Sequence, residues 1–240
     1  MATTARLARV PPFERGITIG DFLLPVSLGE RISTRARDAL LVVGGTALIV
    51  LGARIGFEVP TATIEAIYAT FGLAVQLPAN PYVPITLQTF GVLLSGAALG
   101  FRRGVATTGL YLGLGLVGLP VFAARGDGHF AVGTENWGVV TGVTGGYLIG
   151  FIAAAAVVGR LAELGWDRRL GGAVAAMLIG SVLVYALGLP WLAITAGLSA
   201  GDTLLYGLYP FIPGDLLKLV AAAGLLPVAW WIVRRNPQER

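Results

Sequence analysis

Long apolar runs, separated by short polar or basic clusters, set the rhythm of this chain. The first run extends from about Asp38 to Ile55, long enough for a membrane-spanning helix. A second starts at Pro84-Ile85-Thr86-Leu87-Gln88-Thr89-Phe90 and continues to about Gly100. Arg102 and Arg103 then mark a turn into a third run, Val105 to Leu119. A fourth covers Val139 to Leu161 and a fifth about Gly171 to Ala193. The sixth follows Pro213 and carries no charge from Leu219 to Val233. Between the first two runs, Ile64, Ile67, Tyr68 and Phe71 recur at helical spacing, with Pro60 and Pro78 as breakers. Residues 57–81 therefore read as a short amphipathic helix on the outer surface or capping the bundle, with a seventh span as the alternative. The pattern predicts an all-α integral membrane protein: six transmembrane helices in a bundle over residues 37–235. An arm precedes it over 1–36 and a tail follows over 236–240.

The arm lacks an apolar segment followed by a small-residue cleavage site, so no signal peptide is expected. Ile17 to Leu28 is apolar but short, and it carries Asp21 and Pro25. An interfacial or loosely ordered segment fits it. Small residues recur every four positions in several spans, as at Gly142, Gly146, Gly150 and Ala154, which lets neighbouring backbones come close. Gly44, Gly52 and Gly56 leave a groove on the first span where another helix could approach.

Composition agrees with the pattern. Charged residues are 12% of the 240, against about 25% in soluble domains, and mean hydropathy is +0.78. The net charge of +4 comes from arginines flanking apolar runs, so it reads as topological rather than as a nucleic-acid surface. Lysine and arginine number fourteen in the arm, the second-to-third turn, the fourth-to-fifth turn and the tail, against Arg125 alone in the other connections. By the positive-inside rule both termini are cytoplasmic and the chain is a multi-pass protein of the cell membrane. Six spans satisfy that parity and seven do not. The chain has no cysteine and one histidine, His129, which excludes thiolate or multi-histidine metal sites. Neither HExxH nor a phosphate loop occurs, so no catalysis, cofactor or use of ATP by this chain is expected.

The candidate chemistry gathers at one end. Asp215 lies in the first turn of the last span, where orphan N–H groups favour a carboxylate, and Lys218 is one turn on. They form either a structural ion pair with a snorkelling lysine or a cationic post for an anionic solute. Gln88 offers a donor and an acceptor suited to a neutral polar solute, and Tyr147 has a hydroxyl beside the glycine stripe. Asn136 and Trp137 pair an amide with a flat ring, as an interfacial anchor or as a lid over a bound ring. Arg54 either snorkels outward or points into a polar cavity.

Four ordered motifs carry a resemblance to a known family. They are Pro84-Ile85-Thr86-Leu87-Gln88-Thr89, Gly118-Leu119-Pro120-Val121-Phe122, Thr144-Gly145-Gly146-Tyr147-Leu148-Ile149-Gly150-Phe151 and Pro213-Gly214-Asp215-Leu216-Leu217-Lys218. Over about Arg37 to Arg235 the chain resembles the BioY family, the biotin-specific S components of energy-coupling factor (ECF) transporters. That resemblance implies a six-helix subunit, not an enzyme, that captures biotin from outside. It further implies docking on a transmembrane coupling subunit driven by two cytoplasmic ATPases, and a role for Asp215 and Lys218 in the biotin site. Residues 57–81 look like an insertion, Val143 stands where the family has proline, and Arg54 where it has glutamine. Alternatives are an S component for another small carboxylate-bearing vitamin, a membrane-embedded enzyme on a lipid-like substrate, and a non-transporting membrane scaffold.

Overall fold

A computed structural model describes residues 16–23, 32–56, 59–78, 85–124 and 129–235. No strand occurs among the described residues; Gly56 and Thr86 make one isolated bridge. Helix α1 is Thr34–Arg54, begun by Ser33, whose hydroxyl accepts from the Ala36 N–H at 3.2 Å. Then come α2 (Thr61–Thr70), α3 (Gln88–Leu116), α4 (Glu135–Thr141), α5 (Gly145–Glu163), α6 (Leu170–Ala196), α7 (Ala200–Gly207) and α8 (Ile212–Arg235). Among the described residues, four helices are long and apolar enough to cross a membrane: α1, α5, α6 and α8 through Val233. Their outward faces expose Leu40, Val43, Leu178, Val182, Leu217 and Val220. Such a girdle would be an aggregation liability in water and suits hydrocarbon.

Helix α3 is a hairpin in fact. At Gly100 the backbone takes φ 82° and ψ −177°, a region essentially restricted to glycine, and the chain reverses. Gly104 then lies directly against Gly96. Glu163 at the end of α5 staples the turn, its carboxylate accepting from the Phe101 N–H at 2.9 Å, an orphan donor of the second arm. The reversal thus precedes Arg102 and Arg103 rather than occurring at them. Arg103, inside the second arm, pairs with Asp21 and Asp38 at 2.8 Å each. At 1.5 Å per residue the arms 88–99 and 101–116 are only about 18 and 24 Å long, shorter than a hydrocarbon core of about 30 Å.

Small residues set the helix spacing as expected. A methyl on Gly96 would come within 2.9 Å of the Ala155 backbone, and one on Gly150 within 2.9 Å of the Val184 backbone. These contacts hold α3, α5 and α6 together as the core, with Val92, Ala154, Val158 and Met177 buried among them. One boundary and one contact differ from expectation. The fourth apolar run breaks at 142–144, so α5 begins at Gly145, and the indole of Trp191 donates to the Gly142 carbonyl at 2.7 Å. Gly52, expected to face a partner, instead receives the start of α3: a methyl there would lie 2.7 Å from the Leu87 carbonyl oxygen. Gly44 alone of that trio stays on α1 with open space before it, since Gly56 lies beyond the helix.

The expected short helix is present as α2. Ile64, Tyr68 and Leu77 pack against Leu205 and Tyr209, and the Tyr68 hydroxyl donates to the Tyr209 carbonyl at 2.8 Å. Helix α7, in the connection before α8, has no counterpart in the sequence reading. Its N-cap Ser199 accepts from the Asp202 N–H at 3.1 Å.

Of the stretch Ile17 to Leu28, expected to be interfacial or loosely ordered, residues 17–23 pack against the helices and 24–28 lie outside the described residues. Thr18, Ile19 and Gly20 are buried, and the Gly16 N–H donates to the Glu163 carbonyl at 2.8 Å. Asp21 pairs with Arg37 at 3.0 Å as well as with Arg103. Burial pushes the Asp21 carboxyl up, but the Thr18 N–H, Arg103 and Arg37 together hold it below its ordinary value. At the same end Asp167 is 1% exposed and accepts from the Trp230 indole at 2.5 Å. Burial raises its carboxyl to about 6, against the opposing pull of Trp230 and Arg168. The folded chain therefore holds that proton more tightly than the unfolded one, and stability falls as pH rises from 3.8 through about 6. Asp167→Asn keeps an acceptor for Trp230 without the charge. Its stability in detergent should exceed wild type at pH 8 by at most about 3 kcal/mol, read as a higher thermal unfolding midpoint, and converge with it near pH 4.

Candidate solute-binding site

The turn Leu208–Phe211 ends on a backbone bond from the Asp215 N–H to the Phe211 carbonyl, 2.8 Å, which starts α8 and fixes Asp215 in its first turn. Three residues on, the Lys218 ammonium donates to Asp215 Oδ1 at 2.8 Å and to Thr89 Oγ1 at 3.4 Å. Their side chains are only 10% and 13% exposed. Lys218 is the chain's only lysine. The other carboxylate oxygen, Oδ2, accepts from the Tyr185 hydroxyl of α6. An ion pair this sheltered adds little net stability, because desolvation offsets most of the attraction, and removing either partner is far more damaging than replacing both.

Tyr147 joins the same group through its ring, which meets Tyr185 edge to face at 6.2 Å and 86°. Its hydroxyl donates to the Gly207 carbonyl at 3.0 Å. Gly188 on α6 makes room for that ring, since a methyl there would lie 2.4 Å from a Tyr147 ring carbon.

Gln88, next to Thr89 at the start of α3, begins a second group. Its amide donates to the Tyr111 hydroxyl at 2.9 Å, from the first arm of the hairpin to the second. Tyr111 is fully buried and meets Phe122 edge to face at 5.5 Å. Asn136 completes this side. Its Nδ2 donates to the Gly115 and Leu119 carbonyls, both at 2.8 Å, which fixes the amide orientation because only the NH2 end can satisfy two acceptors. Its Oδ1 is then buried with no hydrogen-bond partner among the described residues, an acceptor waiting for a donor.

Asp215, Lys218 and Tyr147 thus come together, with Gln88 and Asn136 adjoining through Thr89, Tyr111 and Phe122. Arg54 stands apart. It is exposed, lies 3.8 Å over the Phe130 ring and donates to the Pro120 carbonyl, pinning the connection after α3. Trp137 is exposed, as an interfacial anchor would be. Tyr185 and Tyr111 are absent from the sequence reading; the one available signal was that Tyr185 interrupts an otherwise apolar run. Among the described residues no three His, Asp or Glu side chains gather as metal ligands.

Residues 62–235 match the model of the BioY family. The chain belongs to that family. It is 38% identical over 167 residues to "Biotin transporter BioY" of Rhodobacter capsulatus, a match covering 65% of this chain and 83% of that protein. The protein of the same name from Thermotoga maritima is 39% identical over 152 residues, covering 63% and 83%. The structure is similar to the crystal structure of the S-component for biotin from an ECF-type ABC transporter, with a TM-score of 0.62 and 23% identity. That match covers 87% of this chain and 96% of the other. It establishes a shared helical fold, and the family match together with the four apolar helices makes this chain a membrane protein.

Proposed function

We propose that this chain is a biotin-binding membrane subunit that captures biotin on the outer side for uptake. The observation that carries the proposal is the placement of the only lysine, sheltered among apolar helices and held by Asp215 and Thr89. Two of its three N–H donors are directed by the protein, leaving the third for a ligand anion. Biotin offers such an anion at the end of an apolar chain, and its ureido ring carries donors and acceptors. The orphan Asn136 Oδ1 would accept a ureido N–H, and Gln88 would supply a further amide. Tyr147 would contribute a ring wall, its hydroxyl being tied to Gly207. Arg54 would act on the site's rim through Phe130 and Pro120. The identities to biotin transporters support this choice of ligand. Purified chain should bind labelled biotin in competition with unlabelled biotin but not with lipoate, thiamine or riboflavin. Displacement by one of those three at equal concentration would assign the site to that vitamin.

In this reading the six spans are α1, the two arms of α3, α5, α6 and α8, crossing the cytoplasmic membrane with both termini inside and the bilayer thinned locally at the short arms of α3. The arginine-rich ends at Arg37, Arg103, Arg160, Arg168 and Arg169 fall on one side and Asp215 and Lys218 near the other. Energy would come from a coupling subunit with two ATPases. Because the chain has no native cysteine, topology is directly testable. In intact cells, an impermeant thiol reagent should label Ser199→Cys and leave Arg169→Cys untouched. The reverse result would invert the orientation.

A further inference from the structure

We infer that Tyr185 is a positioning residue for the site, acting on the ligand through Asp215; this rests on the biotin reading above. Five elements contribute to one connected line of contacts. The Gly207 carbonyl of α7 accepts from Tyr147 of α5 at 3.0 Å. The Tyr147 ring, seated over Gly188, holds the Tyr185 ring of α6 edge to face at 6.2 Å. The Tyr185 hydroxyl donates to Asp215 Oδ2, and Asp215 Oδ1 holds Lys218 of α8 at 2.8 Å, which also reaches Thr89 of α3. Tyr185 can rotate little, because its ring is held on one side and its hydroxyl on the other.

That arrangement controls how much of the carboxylate Lys218 can take. An ammonium three residues along a helix from a carboxylate can accept both of its oxygens as partners if the carboxylate is free to turn. With Oδ2 tied to Tyr185, Asp215 presents Oδ1 alone to Lys218. The ammonium is then oriented without being fully neutralised, and it keeps attraction for an incoming anion. Without the hydroxyl, Asp215 turns onto Lys218 and competes with the ligand.

Tyr185→Phe removes the hydroxyl and keeps the ring that packs on Tyr147. Binding of biotin to the purified full-length protein should weaken by about 10-fold, the lower end for a hydrogen bond to a charged group, because Lys218 still partners Asp215. In an Asp215→Asn background the same change should matter by less than about 2-fold, since the hydroxyl then faces no charge. A ligand-free readout comes from the single lysine: chain labelled with nitrogen-15 lysine gives one side-chain resonance, from Lys218. Tyr185→Phe should shift it in the Asp215 protein and leave it unmoved in the Asp215→Asn protein. Equal losses of affinity in both backgrounds, with an unmoved resonance, would make Tyr185 a wall of the site only. No loss in either would overturn the proposal. Should wild type fail to bind biotin at all, the functional reading fails, and the lysine resonance still decides the role of Tyr185.

Discussion

Lys218→Met is expected to weaken biotin binding roughly 10- to 150-fold while hardly changing affinity for biotinamide, which lacks the anion. The range follows from losing a hydrogen bond between charged partners, about 1.5–3 kcal/mol. The true value should approach the upper end, because the ligand carboxylate would be left in a sheltered site without a counter-charge. Methionine keeps the length and apolar stem of lysine, so packing along α8 survives. The bared Asp215 retains the Tyr185 hydroxyl and the N-terminal turn of α8, which limits the damage to folding. The ratio of the two affinities is the deciding quantity, since a general loss of folded protein lowers both equally. An unchanged ratio would return Lys218 to a structural or snorkelling role.

Asn136→Leu should lower stability by roughly 1–3 kcal/mol. Its two amide hydrogens bind the Gly115 and Leu119 carbonyls, and leucine, of similar size, fills the buried position without a donor. Each carbonyl keeps a backbone donor, the Gly118 N–H on Gly115 and the Val121 N–H on Leu119, both at 2.8 Å, so each lost amide bond costs about 0.5–1.5 kcal/mol. Gly115 lies in the last turn of α3, where carbonyls have no partner within the helix, so the amide acts as a C-terminal cap delivered from α4. The expected fall in unfolding midpoint is about 2–12 °C, read by thermal denaturation in detergent. A midpoint within about 1 °C of wild type would mean those backbone donors suffice and Asn136 is no staple.

The sequence made legible what depends on neighbours in the chain. Asp215 and Lys218 meet because a three-residue offset on a helix opened by Pro213 puts them on one face. The short helix at 61–70 was bounded by prolines, and the close approach of α3, α5 and α6 was written in Gly96, Gly150 and Gly180. Contacts between distant segments were another matter. Tyr185 reaches Asp215 across thirty positions, and nothing in a uniformly apolar run says which way one hydroxyl turns. Gly52 had the right spacing for an outside partner, yet the partner proved to be Leu87 of the same chain. A small-residue stripe records that a backbone comes close, not whose. The hairpin turned at Gly100 rather than at the arginine pair because a left-handed residue with Glu163 as its cap sets the reversal, and charge does not. Arg54 could not be placed at all, since its partners, Pro120 and Phe130, lie in a connection with no periodic pattern.

The central claim is that this chain alone, without any partner subunit, forms a specific site for biotin. Equilibrium dialysis of labelled biotin against the purified, detergent-solubilised chain tests it most directly. Saturable binding of one biotin per chain is the predicted result. Binding that rises linearly with ligand, or none at all, would contradict the account.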